Sequence, residues 1–195
     1  MRQAIINKLS NKRFWLSNLK SLAIMITLIA SITYYQQRNM VSGPAPALSA
    51  QLINGDTFTL MAQNNTLPTL VYFWGSWCSV CKTTSPSVST LALENAPPAT
   101  SQDDQPSYNQ TSNQRYNIVS VALSSGSDEE ISHFLDQQGY SFNTINDHSG
   151  QISQAWGVAV TPSIFILDPN GNISATSTGM TSLWGMRLRL WLSSL

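Results

Sequence analysis

Cys78 and Cys81 are the two cysteines of the chain, and two residues separate them in Trp77-Cys78-Ser79-Val80-Cys81. A pair at that spacing can exchange electrons with other thiols, brace a loop, supply half a zinc site or attach haem. Haem attachment needs a histidine directly after the second cysteine, and Lys82 stands there. A structural zinc site takes four ligands, and His133 and His148 are not in ligand spacing with the pair. A structural disulfide closing so short a loop removes little entropy from the unfolded chain. Redox exchange is the reading that the surroundings favour. An alternative from another class is a binding module that holds Cu(I), since soft thiolates select that metal. No further cysteine, and no methionine beside the pair, supports it.

The elements around the pair must present it. Thr69–Trp74 (TLVYFW) is β-branched and aromatic, reads as a buried central strand, and runs straight into the motif. A helix is expected from about Cys78 to Glu94, kinked by Pro86. At a helix start, residues i and i+3 stand on neighbouring sides of one turn, within disulfide reach. The unpaired N–H groups there favour a thiolate on the first cysteine. Cys78 is therefore the expected exposed nucleophile, and Cys81, a turn deeper, the resolving thiol. The exchange needs no bound cofactor.

Further along, Asn54-Gly55 lies between two short strand-like runs, Ala47–Leu52 and Thr57–Leu60, a hairpin signal. Residues 95–117 are polar and Pro-containing, with nothing to bury, and are expected to form a mobile insertion. Ile118–Leu123 restarts as a strand. Ser127-Asp128-Glu129-Glu130 is a capping box opening a helix that Gly139 stops. Phe142–Ile145 reads as a weaker strand, Gln151–Trp156 as a short helix and Ser163–Leu167 as a firm strand. Asp168-Pro169-Asn170-Gly171 then turns the chain into Asn172–Thr178. Leu183–Leu195 has apolar residues at helical spacing, with Arg187 and Arg189 expected toward solvent. Strands alternating with helices predict an α/β domain with a central mixed sheet and helices on both faces.

The zero net charge conceals a division. Residues 1–38 carry Arg2, Lys8, Lys12, Arg13, Lys20 and Arg38 and no acid, for +6; the remainder carries Lys82, Arg115, Arg187 and Arg189 against ten acids, for −6. Four scattered cations make no basic face, so a nucleic-acid partner is not expected. The run Leu22–Tyr35 is uncharged and, taken from Trp15, long enough to span a bilayer. Cations crowd its N-terminal side, which puts residues 1–14 in the cytoplasm. A cleaved signal peptide fits the same pattern, but no small-x-small site follows the run closely. The expected order is a basic N-terminus (1–14), an anchor (15–35), a tether (36–46) and the α/β domain (47–195).

Two blocks of this sequence together resemble the thioredoxin superfamily, and within it the membrane-anchored TlpA-like disulfide oxidoreductases. One is Val71-Tyr72-Phe73-Trp74-Gly75-Ser76-Trp77-Cys78-Ser79-Val80-Cys81-Lys82 with Pro86; the other runs from Gly157 to Gly171 through Val160-Thr161-Pro162-Ser163. Among relatives the chain looks most like the suppressor-of-copper-sensitivity protein D type and the cytochrome c maturation thioredoxins. The resemblance implies a thioredoxin-like fold with a redox-active Cys78–Cys81 disulfide acting on protein thiols and disulfides. It also implies a single-pass inner-membrane protein with its catalytic domain in the periplasm, kept reduced by a membrane electron transporter. Thr161–Pro162 is implied to be a cis peptide facing the dithiol, where the Thr161 backbone pairs with an extended substrate. Trp77 is implied to cover the disulfide and touch partners. The chain departs from the pattern at Tyr72, where many thioredoxins carry a buried aspartate. It departs again at Ser79-Val80, where many TlpA-like proteins have a proline.

Overall fold

The computed structural model describes residues 12–60, 67–95 and 114–195. The chain divides into two units, with the boundary between Arg38 and Asn39. The first is one helix, α1 (Lys12–Gln37). Its stretch Asn18–Gln37 has a mean hydropathy of 1.2 and is, among the described residues, the one helix long and apolar enough to cross a membrane. Ile24, Met25, Ile26, Leu28, Ile29 and Ile32 all lie bare along it. The capacity to span follows from length and composition together.

The second unit holds β1 (Gly43–Pro44), β2 (Ser49–Gln51), β3 (Thr57–Thr59), β4 (Thr69–Trp74), α2 (Cys81–Glu94), β5 (Asn117–Leu123) and α3 (Asp128–Gln138). β6 (Thr144–Asp147), α4 (Gln151–Ala155), β7 (Ser163–Leu167), β8 (Asn172–Thr178) and α5 (Leu183–Ser193) complete it. The main sheet has the order β1-β8-β7-β4-β5-β6. β4, β5 and β6 run parallel, while β7 is antiparallel to β4, and β8 to β7. This is the mixed sheet expected from the sequence.

β4 lies at its middle with all six residues buried, because both of its faces are covered. Leu70, Tyr72 and Trp74 point into one cluster with Val88 and Leu91 of α2, Ile131 and Leu135 of α3, and Met186 and Leu190 of α5. Val71 and Phe73 point the other way, toward Trp156, Phe165, Phe58 and Leu60. Period-two alternation thus builds two cores on one strand. Each large apolar side chain so buried contributes about 1.5–3 kcal/mol.

The local signals act as their chemistry dictates. β2 and β3 pair antiparallel around Gly55, whose φ of +93° suits glycine. The Ser127 hydroxyl accepts from the Glu130 N–H, the Glu130 carboxylate accepts from the Ser127 N–H, and Gly139 closes α3 in the left-handed conformation.

Two boundaries move. The segment expected as a tether, 36–46, is folded from Asn39 onward. Met40, Val41 and Ala45 pack on the second core, and Gly43–Pro44 pairs with β8. Its apolar residues are few, but a sheet edge was free to receive its backbone. A side chain at Gly157 would collide with the Asn39 carbonyl, so glycine admits this segment. β6 begins at Thr144, two residues later than expected, because Phe142 turns into the first core. Residues 96–113 of the expected insertion lie outside the described residues. At their margins Asn95 donates to the Tyr116 carbonyl and accepts from the Arg115 N–H, so the ends of the segment are tied together.

Candidate active site

β4 ends at Trp74, and the chain needs a turn before it can become a helix. Gly75 to Val80 supply that turn, with the Cys78 N–H donating to the Gly75 carbonyl at 3.1 Å. The helix therefore starts at Cys81, not at Cys78 as expected. It then runs through Pro86, whose missing N–H falls early in the helix. Cys78 thus sits just ahead of the N-terminus of α2, where the unpaired N–H groups point.

Cys78 and Cys81 are joined as a disulfide, with Cα atoms 5.2 Å apart. The Cys81 N–H points at the Cys78 sulfur from 3.1 Å. That donor, with the helix end behind it, favours negative charge on Cys78 once the bond is reduced. Cys81 is the deeper of the two, but Cys78 is only 6 % exposed, so the expected freely exposed nucleophile is a recessed one. Two neighbours flank the cysteine turn. Trp77 folds back over Gly75, where an added Cβ would lie 2.7 Å from the ring, and its Nε1 donates to the Leu123 carbonyl at 3.1 Å. Across the site, the Thr161 carbonyl oxygen stands 3.6 Å from the Cys78 sulfur, within reach of a thiol S–H after reduction. Thr161–Pro162 is cis.

All five residues singled out in the sequence therefore gather at one end of the sheet. Trp77 keeps 61 % of its surface exposed, which places its ring outside the core. Sequence reasoning missed the supports. The Ser125 hydroxyl accepts the Ser76 N–H at 3.0 Å and donates to the Leu123 carbonyl at 2.9 Å, pinning the cysteine turn to the loop after β5. The Ser85 hydroxyl pairs with the Tyr72 hydroxyl at 2.9 Å beneath Cys81. Neither serine has a local sequence signal for this role, since Ser76 and Tyr72 lie many positions away.

The family model described as thioredoxin-like matches residues 66–173, which contain the cysteine turn, the Thr161–Pro162 peptide and strands β4 to β7. The chain belongs to the thioredoxin-like family. It is 34 % identical over 178 residues to a thioredoxin-like protein of Haemophilus influenzae, covering 91 % of this chain and 94 % of that one. It is 24 % identical to the thiol:disulfide interchange protein DsbE of Xylella fastidiosa, over 75 % of this chain and 70 % of the relative. In fold it is similar to a putative DsbE from Chlorobium tepidum, with a TM-score of 0.63 and 19 % identity over 80 % of this chain and 99 % of that one. This thioredoxin-like chain is a thiol–disulfide oxidoreductase.

Tyr72 gives the site its own acid–base character. Burial is the main cause that pushes its phenol well above the ordinary range, against the opposing hydrogen bond with Ser85. The hydroxyl therefore stays protonated at neutral pH and cannot take a proton from Cys81 as a carboxylate could. Tyr72→Phe is expected to cost about 1–2 kcal/mol, because Ser85 loses a buried partner. The same change should leave the pH dependence of thiol exchange unmoved across the neutral range. Equilibrium unfolding and rate–pH profiles check the two halves separately.

Proposed function

We propose that this protein reduces disulfides of exported proteins, from a membrane anchor formed by α1, and that a membrane electron transporter recharges its dithiol. The observation that carries the reading is the setting of Cys78. A backbone N–H aims at its sulfur, and the carbonyl of Thr161 lies beside it at the open end of the sheet. In the reduced protein the Cys78 thiolate attacks a substrate disulfide, forming a mixed disulfide and releasing one substrate thiolate. The Cys81 thiolate then attacks the Cys78 sulfur, closing the Cys78–Cys81 bond and releasing the second substrate thiolate. The substrate gains two electrons and the protein loses two, so a dithiol donor must restore it. The two sulfurs suffice for the chemistry.

Substrate binding in this reading falls to Thr161, Pro162 and Trp77. The Thr161 backbone pairs with an extended segment of the partner, and the exposed indole of Trp77 gives that segment an apolar contact. The six cations of residues 1–38, five of them ahead of the uncharged run, favour a periplasmic domain.

One labelling experiment tests orientation and redox direction together, because the chain has two cysteines and both are at the site. In spheroplasts of a Gram-negative host, a membrane-impermeant maleimide polymer should add twice without prior reduction, and the labelled chain should stay with carbonate-washed membranes. Labelling that requires reduction first would indicate an oxidant. Labelling that requires lysis would place the domain in the cytoplasm.

A further inference from the structure

α5 is apolar on both sides. Met186 and Leu190 face the core, while Trp184, Leu188, Trp191 and Leu192 are each more than half exposed. At about 100° per residue these four form one outward stripe, and Leu195 continues it past the helix end. Arg187 and Arg189 fall on its two borders, and the helix contains no acid. Arg187 and Arg189, expected toward solvent, are half-buried and flank this exposed apolar face. Arg187 stacks over the Trp184 ring and pairs with Glu94 of α2.

We propose that this face of α5 rests on the surface of the bilayer that α1 spans, with Trp184, Leu188, Trp191 and Leu192 at the headgroup–acyl boundary. The inference rests on the anchoring reading above. Two further observations select a lipid surface as the occupant. The first is chemical. Tryptophans and leucines on one face, bordered by two arginines and with no acid on the helix itself, suit the interface of a bilayer.

The second is the reach of the chain. The candidate span ends at Gln37, and Gly43 is already paired with Ile173 of β8. From Arg38 to Gly43 the chain can extend no more than about 18 Å. Beside Ile173, the Ser174 hydroxyl meets the Ser193 hydroxyl at 2.6 Å, at the last residue of α5. Gly43, the first sheet residue after the candidate span, thus pairs beside one end of the stripe. A tether that short keeps the local concentration of bilayer high, so a weak interfacial helix suffices.

Spin labels on the full-length chain test this in vesicles of phosphatidylethanolamine and phosphatidylglycerol. A Cys78→Ala, Cys81→Ala background frees the chain of other thiols. Single labels are then placed at Leu188→Cys, at exposed Gln137→Cys on α3, and at Ile29→Cys in α1. Depth is read from collision with oxygen against a water-soluble nickel complex. The expected result is an oxygen-to-nickel ratio several-fold higher at 188 than at 137, with the highest ratio at 29. Position 29 buried and position 188 as wet as 137 would overturn the inference and leave the anchor standing. Position 29 outside the bilayer would overturn both. Dipolar broadening between labels at 188 on two molecules, with no immersion, would assign the face to a second copy and overturn the proposal too.

Discussion

Cys81→Ala is expected to accumulate mixed disulfides with partner proteins, while Cys78→Ala traps at most about one-tenth as much. The asymmetry follows from where the two sulfurs sit. Cys78 precedes the helix, receives the Cys81 N–H and lies beside the open Thr161 carbonyl. Cys81 is the first residue of α2 and is shielded beneath it. Removing Cys81 leaves the nucleophile but takes away the attack that would release the partner. Removing Cys78 leaves a thiol that a partner disulfide cannot approach in line. In the Cys81→Ala protein Cys78 should also titrate below the range of an ordinary free thiol. Non-reducing gels with mass spectrometry of the trapped species give the ratio, and thiolate absorbance against pH gives the ionisation. Equal trapping by the two variants, or a Cys78 that ionises no more readily than a free thiol, would remove the basis for these roles.

Much of the frame was legible because its signals are local. A run such as Thr69–Trp74 with no polar residue beyond its first can be little else than a strand covered on both faces. The capping box at Ser127–Glu130 and the stop at Gly139 each depend on neighbours within four positions. Signals weakened where the deciding partner was distant. Residues 39–46 look like a linker by composition, yet the free edge of β8 takes Gly43–Pro44 as a strand. The helix at the cysteines starts three residues late, because β4 must first turn through Gly75 before the chain can reverse.

The site shows the same division. Cys78 and Cys81 declare themselves by type and spacing, whereas Trp77, Thr161 and Pro162 were implied by the family resemblance. Ser125 and Ser85 do not, being ordinary serines until the fold brings Ser76 and Tyr72 to them. The outward face of α5 was hidden for a different reason. Helical periodicity announces an apolar face but not how many, and here two apolar faces share eleven residues.

Trp74→Ala is expected to remove about 3–5 kcal/mol of stability, a large part of the roughly 5–15 kcal/mol that holds a domain of this kind. Trp74 is fully buried as the last residue of the central strand, four positions before Cys78. Its ring stacks on Phe134 of α3 at 5.6 Å and meets Phe142 edge-on at 5.9 Å. Its Nε1 donates to the Ser120 hydroxyl at 3.0 Å, which in turn pairs with the Thr144 hydroxyl at 2.8 Å. The cavity therefore opens where β4, β5, β6 and α3 meet, and it leaves a polar chain one donor short. Trp74→Phe separates the two contributions, since it keeps most of the aromatic packing but loses the donor. Its cost should be about 1–3 kcal/mol, close to that of Ser120→Ala if the hydrogen bond dominates and well above it if packing does. Urea unfolding of the oxidised proteins reads all three midpoints. Because the cysteine turn hangs from the end of β4, partial loss of order at Trp74 should also speed reduction of the Cys78–Cys81 bond by a small dithiol. A Trp74→Ala midpoint within error of the parent protein would mean that this strand end is not what holds the turn in place.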